Sequence, residues 1–551
     1  MEKRILLAIV LSFLILIIYQ AVFVKKAPQS QIPPKVEAKG EKAPEQKPFA
    51  EEIPAPSKLP QEKKLREAEN IQEVTAPSEE QISIDTSLYH ALWSNRGGVL
   101  KSWKLKKHKS EKNEDLELVS LQSQDISKYP FFLWTEDLDL NSNANNAFYK
   151  SSALNLNLKD GQKEEIRFEY ADGKGARVEK IFTFQGGKYD FDVEINIWKN
   201  GQRIEPSLLW GPGIGNPSAT EQKQRFGGGG GIAVLASNKI YRQAERKFNP
   251  DSSSFNFVNW AAYEDNYFTA LFLPSSQKGN ASFLREIKDQ TPYFFLSVSS
   301  PQKIYIGPKE FDRLLKFGYQ TKRVISFGFF GWIAEILLRA IKFFHRFVPN
   351  WGFAIIFITL VIKILFFPLT YSSTRSMAKM QELQPKIKAL RAKYKKAKQD
   401  IAQRRQMNEE MMRLYKEHGV NPAGGCLPML IQIPVFWGFF RLLVVGIEFR
   451  RSPFIFWIKD LSVKDPFYVT PILMGVTQFI SQKMTPTAAD PAQAKMMLIM
   501  PVIMTIFFMN FQSGLVLYWL TNNVLQIGQQ YIMNRMMNKK KRESHGKRRK
   551  K

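Results

Sequence analysis

The stretch "TLVIKILFFPLT", Thr359 to Thr370, carries a lysine, Lys363, inside an otherwise greasy run. A lysine near the centre of a membrane helix costs roughly 2.5–3.5 kcal/mol on insertion scales, so something must offset it. Snorkelling works poorly from mid-span. The only acid in another expected span is Glu448, near the opposite edge. Lys363 is therefore expected to face a water-filled cavity among the helices. Thr359 lies one turn away on the same face, and Gln432, Gln478, Thr505, Asn522 and Gln526 add polar groups in other spans. Each alone would serve as interhelical glue; together with an unpaired cation they predict a hydrophilic groove. Arg441 is a second intramembrane cation, with Glu448 two turns on as its expected partner.

Other chemistry has little support. The single cysteine, Cys426, excludes an intramolecular disulfide and a thiolate cluster, and the five histidines are scattered without HExxH spacing. There is no Walker A loop, no GxSxG and no close Ser/His/Asp arrangement. "GPGIG", Gly211 to Gly215, lacks the GxGxxG spacing and reads as turns. The expectation is a protein that is not an enzyme and uses no cofactor and no metal.

The elements that position the polar residues are five apolar segments: Gly352–Leu369, Leu427–Phe449, Phe467–Ile480, Met496–Phe511 and Leu515–Met533. The third and fourth are short, about 21 and 24 Å as helices, which would thin the bilayer around them. Five methionines between Met496 and Met509 offer a soft apolar surface. From Thr321 to Lys551 the chain holds 36 basic and 11 acidic residues, so most of its net charge of +28 lies in the greasy half. That coincidence favours a membrane over nucleic acid, and no DNA-binding signature accompanies it. The segment Tyr371–Val420 has 13 basic and 5 acidic residues and reads as a cytoplasmic helical hairpin, 371–420. Residues 534–551, with 10 basic and 1 acidic, read as a cytoplasmic tail.

Ahead of this core, 351–533, stand four more regions. Residues 1–26 contain a 20-residue apolar run read as an uncleaved anchor. Residues 27–81, rich in Pro, Lys and Glu, read as a flexible linker. Residues 82–320 alternate with period two, most clearly in "YDFDVEINI", and predict an all-β sandwich. Residues 321–350 contain an amphipathic pattern over Gly331–Phe347 that predicts a helix in the membrane interface. The anchor and five core spans make six crossings, with both termini cytoplasmic and the sandwich on the far side.

Five stretches carry a resemblance: "WGFAIIFITLVIKILFFPLT", "SMAKMQELQPKIKAL", "NPAGGCLPMLIQIPVFW", "DPFYVTPILMGVTQFISQKM" and "PVIMTIFFMNFQSGLVLYWLTNN". In this order they resemble the YidC membrane protein insertases of bacteria with an outer membrane. The resemblance implies a polytopic α-helical inner-membrane protein with six transmembrane helices, a five-helix insertase core and a large periplasmic β-sandwich. It implies a groove open to the cytoplasm and to lipid, past whose third and fifth spans a client's apolar segment slides. Lys363 falls at the family's groove arginine, which keeps the charge but loses the bidentate fork, and Trp519 falls at an aromatic position facing the same site. The implied partners are nascent membrane proteins, the Sec translocon, the ribosome and anionic lipids. Two rival readings are a transporter or channel, and a membrane-anchored periplasmic sugar-binding or sugar-modifying protein.

Overall fold

The computed structural model describes residues 72–216, 230–275, 279–394, 400–420, 427–485 and 491–549. The expected anchor, most of the linker, residues 227–229 and Cys426 lie outside them.

The alternation in "YDFDVEINI" forms a strand over Asp190–Lys199, with Phe191, Val193, Ile195 and Ile197 buried. It pairs antiparallel with Ala176–Gln185, placing Phe191 opposite Phe184 and Val193 opposite Phe182. The connection needs glycine twice: a Cβ on Gly186 would lie 2.0 Å from the Lys159 carbonyl oxygen, and Gly187 adopts φ +81°. These two strands belong to a ten-stranded sheet, against which two five-stranded sheets pack. The core between the layers is aromatic. Trp93 from one small sheet meets Phe182, with ring centroids 4.5 Å apart, and Phe131 lies between Trp210 and Phe191. The sandwich expected from period-two alternation is thus present.

A lysine with no carboxylate partner among the described residues is buried in this sandwich. Lys180, fully buried, donates to the carbonyls of Gly97 (2.6 Å) and Phe131 (2.9 Å). Burial pushes its ammonium down to about 7.

The C-terminal half is helical: α1 (Gly331–Phe347), α2 (Trp351–Leu365), α3 (Phe367–Lys393), α4 (Ile401–Glu417), α5 (Leu427–Val445), α6 (Val469–Met484), α7 (Pro491–Phe508) and α8 (Ser513–Arg549). α1 has the bounds its amphipathic pattern predicts: Ala334, Leu337, Leu338 and Ile341 are buried while Trp332, Ile336, Phe343 and Phe347 are exposed. The first apolar segment departs from expectation. It breaks at Phe366, because Pro368 cannot extend a helix from its N-terminal side, and α3 restarts there and runs straight into the hairpin. α8 exceeds its expected span, continuing through the basic tail to Arg549.

Among the described residues no single helix is long and apolar enough to cross a membrane by itself. α1 and α2 meet that measure only together, bent by 120°. α5 and α7 run unbroken through Pro434 and Pro501. α3 and α4 form the expected hairpin, closed over a small core of Met380, Leu383, Ile387 and Val420.

Charges join the sandwich to the turn at Thr321–Val324 that leads into the helices. Glu264 bonds both Arg242 and Lys309, and Arg242 donates onward to the carbonyls of Arg323 (2.7 Å) and Val324 (2.9 Å). Burial works to raise the Glu264 carboxyl, but Arg242 and Lys309 outweigh it and hold it below its usual range.

Candidate functional site

α8 is the shared wall of the polar site. α2 and α6 pack along it, and α5 touches it. Side-chain hydrogen bonds tie each of these helices to it. From the last turn of α2, Lys363 Nζ donates to Gln526 Oε1 at 2.7 Å. From α5, Gln432 Nε2 donates to the Tyr518 hydroxyl. Toward α6, Trp519 Nε1 donates to Gln478 Oε1 at 3.3 Å and Asn523 Nδ2 donates to the Met474 carbonyl at 3.2 Å.

Lys363 is half-buried. Among the described residues no carboxylate lies within ion-pair distance of its ammonium. The ion pair nearest in kind, Lys342 to Glu448 at 2.7 Å, belongs to α1 and the turn after α5. The expected pairing of Arg441 with Glu448 is therefore wrong. Arg441 Nη2 instead donates to the Ser326 carbonyl, and Glu448 is taken by Lys342 from α1. The physical reason is tertiary: α1 packs on α5 and delivers Lys342, and the loop ahead of α1 delivers the Ser326 carbonyl, where sequence offered only a neighbour two turns away.

The remaining sequence-singled residues divide. Thr359, 1% exposed, turns its hydroxyl back to the Ile355 carbonyl at 2.6 Å and adds no free donor. Thr505 does the same toward Pro501 at 2.8 Å and packs so tightly on α6 that a Cβ on Gly475 would come within 1.9 Å of its hydroxyl oxygen. Asn522 is half-buried. Trp519 is wedged between Phe436 of α5 (5.1 Å) and Phe508 of α7 (5.3 Å). Of the expected residues, Lys363 thus meets Gln526 and Gln478 meets Trp519, whereas Gln432 bonds Tyr518 and Thr505 bonds its own helix. Tyr518 and Asn523 were not expected from sequence. Asn523 was open to discovery, because it lies one turn beyond Trp519 on the same face; Tyr518 was not, because its role depends on where α5 lies. No group of three or more His, Cys, Asp or Glu among the described residues could hold a metal ion.

Two family profiles match this chain: the YidC periplasmic domain over residues 81–340, and the 60Kd inner membrane protein over residues 343–541. The chain is 38% identical to a membrane protein insertase YidC of Syntrophus aciditrophicus, across 97% of this chain and 100% of the relative. The chain belongs to the YidC family of membrane protein insertases. A second YidC relative, from Geobacter sulfurreducens, is 38% identical across 82% of this chain and 85% of its own length. A solved structure of an active YidC insertase aligns at 20% identity, with a TM-score of 0.36, over 83% of this chain and 94% of that one. The YidC periplasmic-domain match covers the β-sandwich, and the inner-membrane-protein match spans the end of α1 and most of α8.

Proposed function

We propose that this protein inserts nascent inner-membrane proteins through a hydrophilic groove in which Lys363 supplies one positive charge. The observation that carries this reading is the Lys363 ammonium itself, bonded to the neutral amide of Gln526 and facing no carboxylate within ion-pair distance among the described residues. A cation left uncompensated at a helix–helix contact is costly unless a ligand or water meets it. Gln478, Trp519, Asn522 and Gln526 then line the groove, with Gln432 tying α5 to α8 and Thr359 and Thr505 packed into its walls.

The chemistry is transfer between solvents, with no bond made or broken. A client segment of about 20 apolar residues gains roughly 6–12 kcal/mol on entering lipid, whereas each acidic residue of its polar flank costs roughly 2.5–3.5 kcal/mol at the bilayer centre. The groove lowers the second term while lipid supplies the first. Six crossings, cytoplasmic termini and a periplasmic sandwich fit the charge distribution. The basic end of α8 and the α3–α4 hairpin would then face the ribosome and anionic lipids, and the Sec translocon would be an optional partner.

The test is insertion of a small single-span client with an acidic flank into liposomes holding the purified protein. Wild type and Lys363→Arg should insert it. Lys363→Ala should lose about tenfold or more, in line with the worth of one intramembrane charge. Full activity of the Ala variant would remove the charged groove from the mechanism.

A further inference from the structure

The connection between α5 and α6, residues 446–468, presents an exposed apolar tip. Phe456 is 83% exposed and Ile455 38%. Phe456 holds φ at +51°, a region that a bulky side chain seldom adopts, and its ring lies nearly parallel to that of Trp457, with centroids 5.9 Å apart. Trp457 is fixed in turn, because its Nε1 donates to Asp465 Oδ1 at 3.0 Å. A turn that only joins two helices would carry a small polar residue or glycine at such a backbone angle. Here the strained position holds a large ring outward.

What covers the ring follows from where the tip is fastened. Its root meets the sandwich, where Arg450 Nη1 donates to the Lys109 carbonyl at 3.2 Å. Phe454, two residues before Phe456, is held against the start of α2. Asn350 Nδ2 donates to its carbonyl at 2.9 Å, its ring centroid lies 5.3 Å from that of Phe353, and a Cβ on Gly352 would come within 2.1 Å of it. Phe353 begins the stripe that α2 leaves exposed, which continues through Phe357, Leu360, Val361 and Ile364 at helical spacing. Apart from Thr359 and Lys363, α2 carries no hydroxyl, amide or charged side chain, and it lies within the inner-membrane-protein match. An apolar stripe on such a helix faces lipid. The tip therefore overhangs the lipid side of α2 at its sandwich end. Aromatic side chains with basic neighbours suit the membrane–water boundary, and Arg451 and the exposed Lys459 bracket this tip.

We propose that Ile455 and Phe456 insert into the bilayer leaflet on the sandwich side and so fix the depth of α2. From Phe353 to Lys363 is ten residues, about 15 Å of helix, or about half of a hydrocarbon core of about 30 Å. A tip held at the boundary keeps Lys363 near the middle of the bilayer. This rests on the reading of α2 as a membrane helix under the proposed function.

The test is spin labelling of the full-length protein in phospholipid vesicles, in a Cys426→Ala background with one cysteine introduced at a time. Collisions of each label with oxygen, which concentrates in lipid, are compared with collisions with a water-soluble nickel chelate. Labels at Phe456→Cys and Ile455→Cys should meet oxygen more often than chelate. Leu154→Cys, 48% exposed and at the end of its sheet away from Lys109, should show the reverse order. Val361→Cys, on the exposed stripe, reports whether α2 itself lies in lipid. The inference is overturned if both tip labels meet the chelate as freely as the Leu154 site does, or if both are shielded from oxygen and chelate alike. With Val361 in lipid, either result sinks the tip alone. If the chelate reaches Val361 freely, the membrane reading of α2 fails and takes the tip with it.

Discussion

Lys363 on α2 and Gln526 on α8 are 163 positions apart in sequence and 2.7 Å apart in space, and their contact couples the first core helix to the last. The bond is charge-assisted on one side only, so Gln526 orients the ammonium without neutralising it.

Removing Gln526 should therefore hurt the fold more than removing both partners. Gln526→Leu strands a charged donor and is expected to cost roughly 1.5–3 kcal/mol, whereas Lys363→Met/Gln526→Leu should melt near wild type. Thermal unfolding in detergent reads both variants. The double variant should nevertheless insert acidic-flanked clients poorly, which separates stability from function.

Glu264 should be essential to the joint between sandwich and helices. Glu264→Gln leaves Arg242 and Lys309 facing a neutral amide, and breaking such a buried arrangement typically costs about 3–5 kcal/mol. Because the folded carboxyl is held below the ordinary glutamate value of 4.5, its contribution is present above that pH and is lost as pH falls further. Acid unfolding of wild type and Glu264→Gln should show the pH dependence shrink in the variant.

Lys180 gives a slope of the same sign in a higher pH window, from a destabilised cation rather than a stabilised anion. Its folded value is depressed to about 7 from 10.5, so between these limits the unfolded chain binds a proton that the folded sandwich does not. Stability should rise with pH across that window, by up to about 1.4 kcal/mol per unit. Denaturant titrations of the sandwich transition at several pH values measure the slope. Lys180→Met should flatten it, and an unchanged slope in that variant would rule Lys180 out as its source.

Gly475 sets how closely α6 and α7 approach. With Thr505 Oγ1 only 1.9 Å from where a Cβ would sit, Gly475→Ala should push the helices apart and lower the melting temperature, a loss of about 1–3 kcal/mol by overpacking. Gly475→Ala/Thr505→Ala removes the colliding oxygen and should recover most of the loss.

Local pattern alone determined much of this protein. Period-two alternation fixed the face of the Asp190–Lys199 strand, and helical periodicity fixed α1 to its end residues, because both signals lie in neighbouring side chains that share one environment. Lys363 was legible for a related reason: a charge in a greasy run violates the local rule and marks itself. Tertiary structure decided which partners the polar residues take. Thr359 and Thr505 satisfy themselves on their own helices, Glu448 goes to Lys342 rather than Arg441, and Tyr518 and Asn523 gain their meaning only from what faces them. A hydrogen bond depends on the placement of two helices far apart in sequence, and helical periodicity carries no information about that placement.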